Sequence, residues 1–157
     1  MSQTYEYIEM KIPAKPDFIG VIRLTLSGIA SRMGFSYDEI EDLKIATSEA
    51  CTNAVQHAYK EMDKGEVVIG FGLYEDRLEV MVSDNGKSCN FDEVRQGIGP
   101  YEKGNNVEFL REGGLGLYLI ETLMDEVKIH QHEGVTVFMT KFLEGEQVEM
   151  DAKTLST

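Results

Sequence analysis

The sequence predicts an α+β two-layer sandwich, in which a mixed, mostly antiparallel sheet is covered on one face by helices. Two observations support this fold class. The hydrophobic pattern runs strand, helix, helix, hairpin, long loop, helix, hairpin, and hairpins separated by helices favour an antiparallel sheet. The chain has 157 residues, 42% of them hydrophobic, which is enough for one continuous core. We therefore expect one domain over residues 1–143 and a polar tail over residues 144–157.

The first part of the chain predicts one strand and two helices. Residues 5–12 alternate apolar and polar side chains before a proline, as a half-buried edge strand does. Apolar residues then recur at helical spacing over residues 17–33, and Gly34 is a typical helix stop. The spacing of Ser36 and Glu39 is that of a capping box, so a second, longer helix should begin there.

The second part predicts two hairpins separated by a long loop and a third helix. The pattern dissolves into Gly, Asn and acidic residues after Asn85, over a stretch longer than the ~12 to 15 residues of an ordinary structureless loop. Such long loops are often functional. The regular elements are expected over residues 66–74, 77–83, 115–127, 128–132 and 135–142.

Charge and composition exclude several classes of protein. A formal net charge of −13 would repel phosphate backbones, so we expect no direct binding of nucleic acid. No segment approaches the ~20 apolar residues that cross a bilayer, and the first residues lack the pattern of a signal peptide. The two cysteines have neither disulfide nor zinc spacing. We expect a cytoplasmic protein without a membrane segment.

Three polar side chains share one edge of the second helix. Glu49, Asn53 and His57 follow each other at intervals of four residues, beside the apolar stripe. The amide oxygen of Asn53 suits Mg²⁺, which prefers hard oxygen ligands, and the Glu49 carboxylate could accept the proton of an attacking hydroxyl. His57 could donate to a phosphate, contact a substrate or be an ordinary helix residue. On this segment alone, a solvent-facing helix margin is the simpler explanation.

Two further segments could hold an anion or a base. Asp84-Asn85-Gly86 closes an apolar strand and, taken alone, is an ordinary turn. The segment from Glu112 to Leu117 places three glycines where the long loop enters a helix, so backbone N–H groups could approach an anion there. The phosphate loop GxxxxGK and the dinucleotide motif GxGxxG are both absent, which argues against P-loop, Rossmann and ordinary protein-kinase folds.

Taken together and in this order, the three segments resemble the N, G1 and G2 boxes of the GHKL ATPase superfamily, whose ATP site is the Bergerat fold. The matching segments are Glu49 to Ala54, Asp84 to Gly86 and Gly114 to Leu117. The resemblance extends over about residues 7–143. Within the superfamily, the segment from Ser48 to Tyr59 is similar to the bacterial anti-sigma factor serine-protein kinases, in particular to those of the sigma-B general stress switch.

This resemblance implies a role for each matching residue. Asn53 would hold Mg²⁺, Glu49 would be the catalytic base, and Asp84 would accept a hydrogen bond from the adenine amino group. Gly86 would make room for the base. Thr136 corresponds to a threonine near the adenine, whose hydroxyl would support the Asp84 contact directly or through water.

The resemblance also implies a phosphate-binding segment made of Gly113, Gly114, Leu115 and Gly116. One departure concerns its neighbours. The related sporulation kinases have an arginine immediately before the glycines, whereas this chain has Glu112 there, and Arg111 is the candidate to replace that cation. His57 is included in the predicted nucleotide site.

The function that the resemblance implies is transfer of the γ-phosphate of ATP to a serine of an anti-anti-sigma protein, together with sequestration of a sigma factor. The resembling proteins are dimeric, so a homodimer is also expected, with the first helix as a candidate partner surface. Two alternatives stay open. One is a sequestration module that binds ATP without kinase activity, and the other is the detached ATPase domain of a sensor histidine kinase.

Overall fold

The computed structural model describes residues 5–61, 65–84, 116–131 and 134–143. Five strands and three helices lie in these ranges, and a short 3₁₀ turn, Pro16–Phe18, leads into the first helix. In chain order the elements are β1 (Glu6–Pro13), α1 (Ile19–Met33), α2 (Tyr37–Glu61), β2 (Glu66–Leu73), β3 (Arg77–Ser83), α3 (residues 116–123), β4 (Glu126–Gln131) and β5 (Val135–Phe142).

The strands form one sheet in the order β1-β2-β3-β5-β4, so β1 and β4 are its edges. All four pairings between the described strands are antiparallel. The α+β class with an antiparallel sheet is therefore confirmed, and the parallel pair that a mixed sheet would contain does not occur between these strands. The predicted hairpin of β2 and β3 is present, with Leu73 opposite Leu78 next to its turn.

Both helix boundaries predicted between α1 and α2 are confirmed. Gly34 has a left-handed backbone with φ of 101°, and its N–H donates to the carbonyl oxygen of Ala30 at 3.2 Å, which ends α1. The Glu39 N–H donates to Ser36 Oγ at 3.2 Å, and the Ser36 N–H donates to Glu39 Oε1 at 2.9 Å. This reciprocal capping box satisfies two backbone donors at the start of α2.

The main core lies between the helices and one face of the sheet. Alternate residues of each strand point to this face, as the period of a strand requires. Fully buried contributors to this core include Ile22, Leu26, Leu43, Ala50, Val67, Ile69, Phe71, Leu78, Val80, Ile120 and Met139. Met81 and Phe138 belong to the opposite face, where they pack with Tyr74. The two clusters show which strand residues face the helices.

The third helix is shorter than predicted. The pattern predicted a helix to Val127, whereas α3 ends at residue 123 and β4 already begins at Glu126. The reason is tertiary. The Asp125 N–H donates to the Thr140 carbonyl at 2.9 Å, and Asp125 Oδ2 accepts from the Phe142 N–H at 2.7 Å. These hydrogen bonds to β5 place the segment in the sheet, so the helix ends before it.

None of the helices in the described ranges is both long and apolar enough to traverse a lipid bilayer. The predicted tail over residues 144–157 and the whole of the long loop after Asp84 lie outside the described residues.

Candidate functional site

The row of polar residues on α2 faces the end of β3 and the start of α3, rather than open solvent. Glu49, Asn53 and His57 are all half-buried. They are four residues apart, so they lie on one side of the helix and span about 12 Å along its axis. The explanation of a solvent-facing margin therefore does not hold, because each of the three contacts another part of the chain.

One end of the row meets the start of α3. A Cβ atom built on Gly116 would lie 2.8 Å from Glu49 Oε2 and 3.5 Å from Asn53 Nδ2. The first distance is shorter than real Cβ contacts, so a larger residue at this position would have to displace the Glu49 carboxylate, whereas glycine leaves it in place. The structure thus brings together three residues that are up to 67 positions apart in the sequence, and all three were predicted to belong to one site.

The chemistry at this end suits a magnesium ion bound together with phosphates. Asn53 Nδ2 is buried and has no hydrogen-bond partner among the described residues. The described residues contain no cluster of three or more His, Cys, Asp or Glu that could hold a metal ion alone. Mg²⁺ commonly takes one or two protein oxygens and completes its octahedron with water and substrate phosphates. The amide oxygen of Asn53 fits as the protein ligand of that arrangement, and its unpaired Nδ2 can donate to a phosphate oxygen.

The other end of the row meets the end of β3. His57 Nδ1 contacts Asp84 Oδ2, and the Asp84 side chain is only 2% exposed. Asp84 Oδ1 accepts from the Val135 N–H at 2.8 Å, and the Asp84 N–H donates to the Val135 carbonyl at 3.2 Å. Gly134, with φ of 119°, makes the turn that starts β5 beside this carboxylate. Asp84 is therefore held from both sides.

Burial is the main influence on the charge of Asp84. It raises the pKa of the Asp84 carboxyl, because a charged group is poorly solvated in the interior. The hydrogen bond from Val135 and the interaction with His57 act in the opposite direction and lower the pKa. Burial has the larger effect, so the pKa of Asp84 is raised overall.

A narrow cleft connects Asp84 with Asn53. Its walls are small or β-branched apolar side chains, and Asn53, His57 and Asp84 are its polar members. The apolar residues that line it are Ala50, Ala54, Val82, Val135 and Val137. The enclosed volume is about 10 Å³, so these residues provide apolar walls and one carboxylate for the amino-bearing edge of a heterocycle, and not room for the whole ring.

Thr136 does not take part in this cleft. It pairs with Ser83, and its hydroxyl donates to Ser83 Oγ at 3.4 Å. The strand alternation places Thr136 on the face of Phe138, away from the helices, whereas Asp84 follows Ser83 on the helix-facing side. The prediction that the Thr136 hydroxyl supports the Asp84 contact is therefore corrected: the neighbouring Val135 occupies the place beside the carboxylate.

The sequence prediction missed all the apolar lining residues, which are Ala50, Ala54, Val82, Val135 and Val137. The signal was present in β5, where residues 135, 137 and 139 form the apolar alternation that faces α2. The remaining predicted site residues, which are Gly86, Arg111, Gly113, Gly114 and Leu115, lie outside the described residues.

The chain is similar to a family model and to several known proteins. Residues 12–141 match the family model described as histidine kinase-like ATPase domain. The chain is 65% identical over 151 residues to the serine-protein kinase RsbW of Bacillus subtilis (strain 168), covering 96% of this chain and 94% of that protein. It is 60% identical over 157 residues to the RsbW of Bacillus cereus (strain Q1), covering 100% of this chain and 98% of that protein.

One solved structure is also similar. It contains the RsbU and RsbW domains of Rv1364c from Mycobacterium tuberculosis, and it matches with a TM-score of 0.61 at 20% sequence identity. The match covers 87% of this chain and 32% of that chain, so this chain spans about a third of the solved one. At this identity the likeness shows the shared fold.

Proposed function

The chain belongs to the family of histidine kinase-like ATPase domains, and on that premise we propose that it is an anti-sigma factor and ATP-dependent serine-protein kinase. It sequesters an alternative, sigma-B-like stress sigma factor, and it phosphorylates a serine of the anti-anti-sigma protein that opposes this sequestration. Relatives that are 60% and 65% identical over nearly the whole chain carry the name serine-protein kinase. The observation that carries the proposal is the position of Gly116 beside Glu49 and Asn53, where a Cβ atom would lie 2.8 Å from Glu49 Oε2.

Glu49 is the general base in this proposal. It lies on a rigid helix, and its carboxylate stands at the start of α3, where the glycine segment would line the phosphates. The substrate serine hydroxyl attacks the γ-phosphorus, its proton passes to Glu49, and ADP is the leaving group. Such a base must lie within hydrogen-bond distance of the hydroxyl, a position that the glycine backbone leaves room for.

Asn53 binds the metal. When bound, Mg-ATP supplies the phosphoryl group together with the positive charge that offsets the charge of the transition state. The chain itself supplies orientation: α2 carries the base and the metal ligand one turn apart, so both are set by a single helix. Gly113, Gly114, Leu115 and Arg111 are proposed to complete the phosphate end.

Asp84 recognises the adenine ring. Its carboxylate lies at the far end of the cleft from Gly116, and the cleft walls between them are apolar. An ionised carboxylate can only accept hydrogen bonds, which suits the amino group of adenine. Gly86 is proposed to leave space for the base. Thr136, on the other face of the sheet, has no part in this contact.

The protein works as a homodimer in this proposal, and in the cytoplasm, where ATP and sigma factors are found. The surface that supports dimer formation consists of the edge strand β1 and the neighbouring side of α1. It exposes large apolar side chains, including Ile8 at 41% and Leu24 at 77%. Exposed apolar residues beside an edge strand are typical of a surface that another chain covers. Mass measurement by light scattering of the native chain and of Leu24→Asp tests this part.

The decisive experiment for function measures transfer of labelled γ-phosphate from Mg-ATP to the anti-anti-sigma protein of the same organism. The native chain should label one serine, and Glu49→Ala and Asn53→Ala should not, although both variants stay folded. A native chain that binds ATP and a sigma factor without any transfer would replace the kinase with the sequestration module. Labelling of a histidine in place of a serine would favour the histidine-kinase alternative.

A further inference from the structure

The contact between His57 and Asp84 is a feature that the phosphoryl-transfer chemistry does not require. The structure places His57 Nδ1 against Asp84 Oδ2, at the base end of the cleft and two helical turns from Glu49. The imidazole is partly accessible, with 28% of its side chain exposed, whereas the carboxylate beside it is almost fully enclosed.

Asp84 has little freedom to change orientation. Oδ1 accepts from the Val135 N–H at 2.8 Å, and Oδ2 contacts His57. Each carboxylate oxygen has two lone pairs, so a further donor can still bind after both contacts are made. His57 is the only titratable side chain besides Asp84 in the described lining of the cleft, because β3 and β5 contribute valines there.

The protonation of such a carboxyl decides which purine it can bind. An ionised carboxylate accepts hydrogen bonds only, and a protonated carboxyl can also donate one. Adenine presents an amino group at its 6-position, which donates, whereas guanine presents a carbonyl oxygen, which accepts. A carboxylate that faces the 6-position and is kept acceptor-only therefore accepts from the amino group of adenine and repels the carbonyl oxygen of guanine.

We propose that His57 is a specificity-determining positioning residue: its Nδ1–H donates to Asp84 Oδ2 and thereby holds the carboxylate as an oriented acceptor for the adenine amino group. The protein selects ATP over GTP as a result. This inference rests on the proposed function, because it takes the cleft to be the nucleotide site. The direction of the charge effects agrees with it, since burial raises the pKa of Asp84 and His57 opposes that rise.

Two variants of His57 separate donation from simple space filling. Asn carries an N–H₂ donor on the same carbon from which the imidazole Nδ1 extends, so His57→Asn keeps a donor for Asp84 Oδ2. Leu has a similar size and no donor, so His57→Leu leaves Asp84 with its single contact to Val135. The matched control is Gln56→Ala, because Gln56 is the exposed neighbour on the same helix.

The experiment measures the dissociation constants of ATP and GTP, each with Mg²⁺, by isothermal titration calorimetry for the native chain and the three variants. His57→Leu should lose about tenfold or more of the preference for ATP over GTP. The reason is that Asp84 Oδ2 loses the donor that orients it, and the charged acceptor is no longer aimed at the adenine amino group. His57→Asn should keep the preference within about threefold of the native value, because a side-chain N–H donor for Asp84 Oδ2 is kept. Gln56→Ala should match the native chain.

Kinase assays on the same proteins add a second readout. The loss in His57→Leu should fall on the KM for ATP and leave kcat unchanged, because Glu49 is at the other end of the cleft. An unchanged preference in His57→Leu would overturn the inference, and so would a loss in His57→Asn as large as in His57→Leu. Either result would leave the proposal that the protein binds ATP untouched. A native chain that binds ATP and GTP equally would overturn adenine recognition by Asp84 itself, and the inference with it.

Discussion

The closest approach in the site gives the sharpest prediction, which is the effect of Gly116→Ala on catalysis. The added Cβ would lie 2.8 Å from Glu49 Oε2, about 0.6 Å short of the 3.4 Å at which ordinary contact begins. Asn53 Nδ2, at 3.5 Å, is already at an ordinary distance and need not move. The carboxylate of Glu49 is the end of a flexible side chain, so it should yield and leave its position as general base.

The expected size of the effect follows from the displacement. Because a misplacement of about 1 Å can cost about 10²-fold in rate, we expect kcat to fall roughly 10- to 100-fold. The KM for ATP should change by less than about threefold, since the metal ligand keeps its place. Gly116 does not have a positive φ, so alanine fits its backbone and the free energy of unfolding should stay equal or rise by up to about 1 kcal/mol.

The assay is steady-state phosphorylation of the anti-anti-sigma protein, with urea unfolding of the same samples. Gly20→Ala is the matched control, because Gly20 lies in α1 with no atom within 4 Å of an added Cβ. This control should keep full activity. A Gly116→Ala protein that is stable and has native kcat would refute the assignment of Glu49 as the base at this position.

Three further predictions concern stability, each measured by urea unfolding. Burial raises the pKa of Asp84 above its ordinary value of 3.8, so its contribution to stability is complete below that value and is lost as the pH rises through the folded pKa. The stability of Asp84→Asn relative to the native chain should therefore increase with pH across that window, and a constant difference would contradict it. The free energy of unfolding of Lys141→Met should be about 1 to 2 kcal/mol lower than that of the native chain, because Lys141 Nζ donates to the Leu123 carbonyl at 2.8 Å. A native-like value would show that this hydrogen bond contributes nothing to stability. The free energy of unfolding of Gly34→Ala should also be about 1 to 2 kcal/mol lower, since alanine is strained at a φ of 101°. An unchanged value would mean that the backbone at residue 34 moves to a conformation that alanine can adopt.

Much of the fold could be predicted because local signals decide it. The capping box of Ser36 and Glu39, the left-handed Gly34 and the alternation of β2 and β3 each act within a few residues. The margin of α2 was equally visible, since Glu49, Asn53 and His57 share one side of any helix. What the residues of α2 face could not be predicted locally, because it depends on where α3 and β3 are packed.

The errors have the same origin. The end of α3 is decided by hydrogen bonds from Asp125 to β5, which periodicity within the helix does not contain. The prediction for Thr136 was wrong by one position along β5. Neighbouring residues of a strand point to opposite faces of the sheet, so a shift of one residue moves a side chain to the other face. Val135 faces Asp84, and the register of β3 with β5 places Thr136 opposite Ser83.

The central claim is that Glu49 acts as the base in phosphoryl transfer, in a site where the rest of the chain binds the nucleotide. It is tested most directly by single-turnover transfer from Mg-ATP to the substrate protein with Glu49→Gln, beside Glu121→Gln as a control of the same chemistry on an exposed residue of α3. Glu49→Gln should bind ATP within about threefold of the native affinity and transfer phosphate about 10²- to 10⁴-fold more slowly. Glu121→Gln should keep the native rate. A native rate in Glu49→Gln would contradict the central claim.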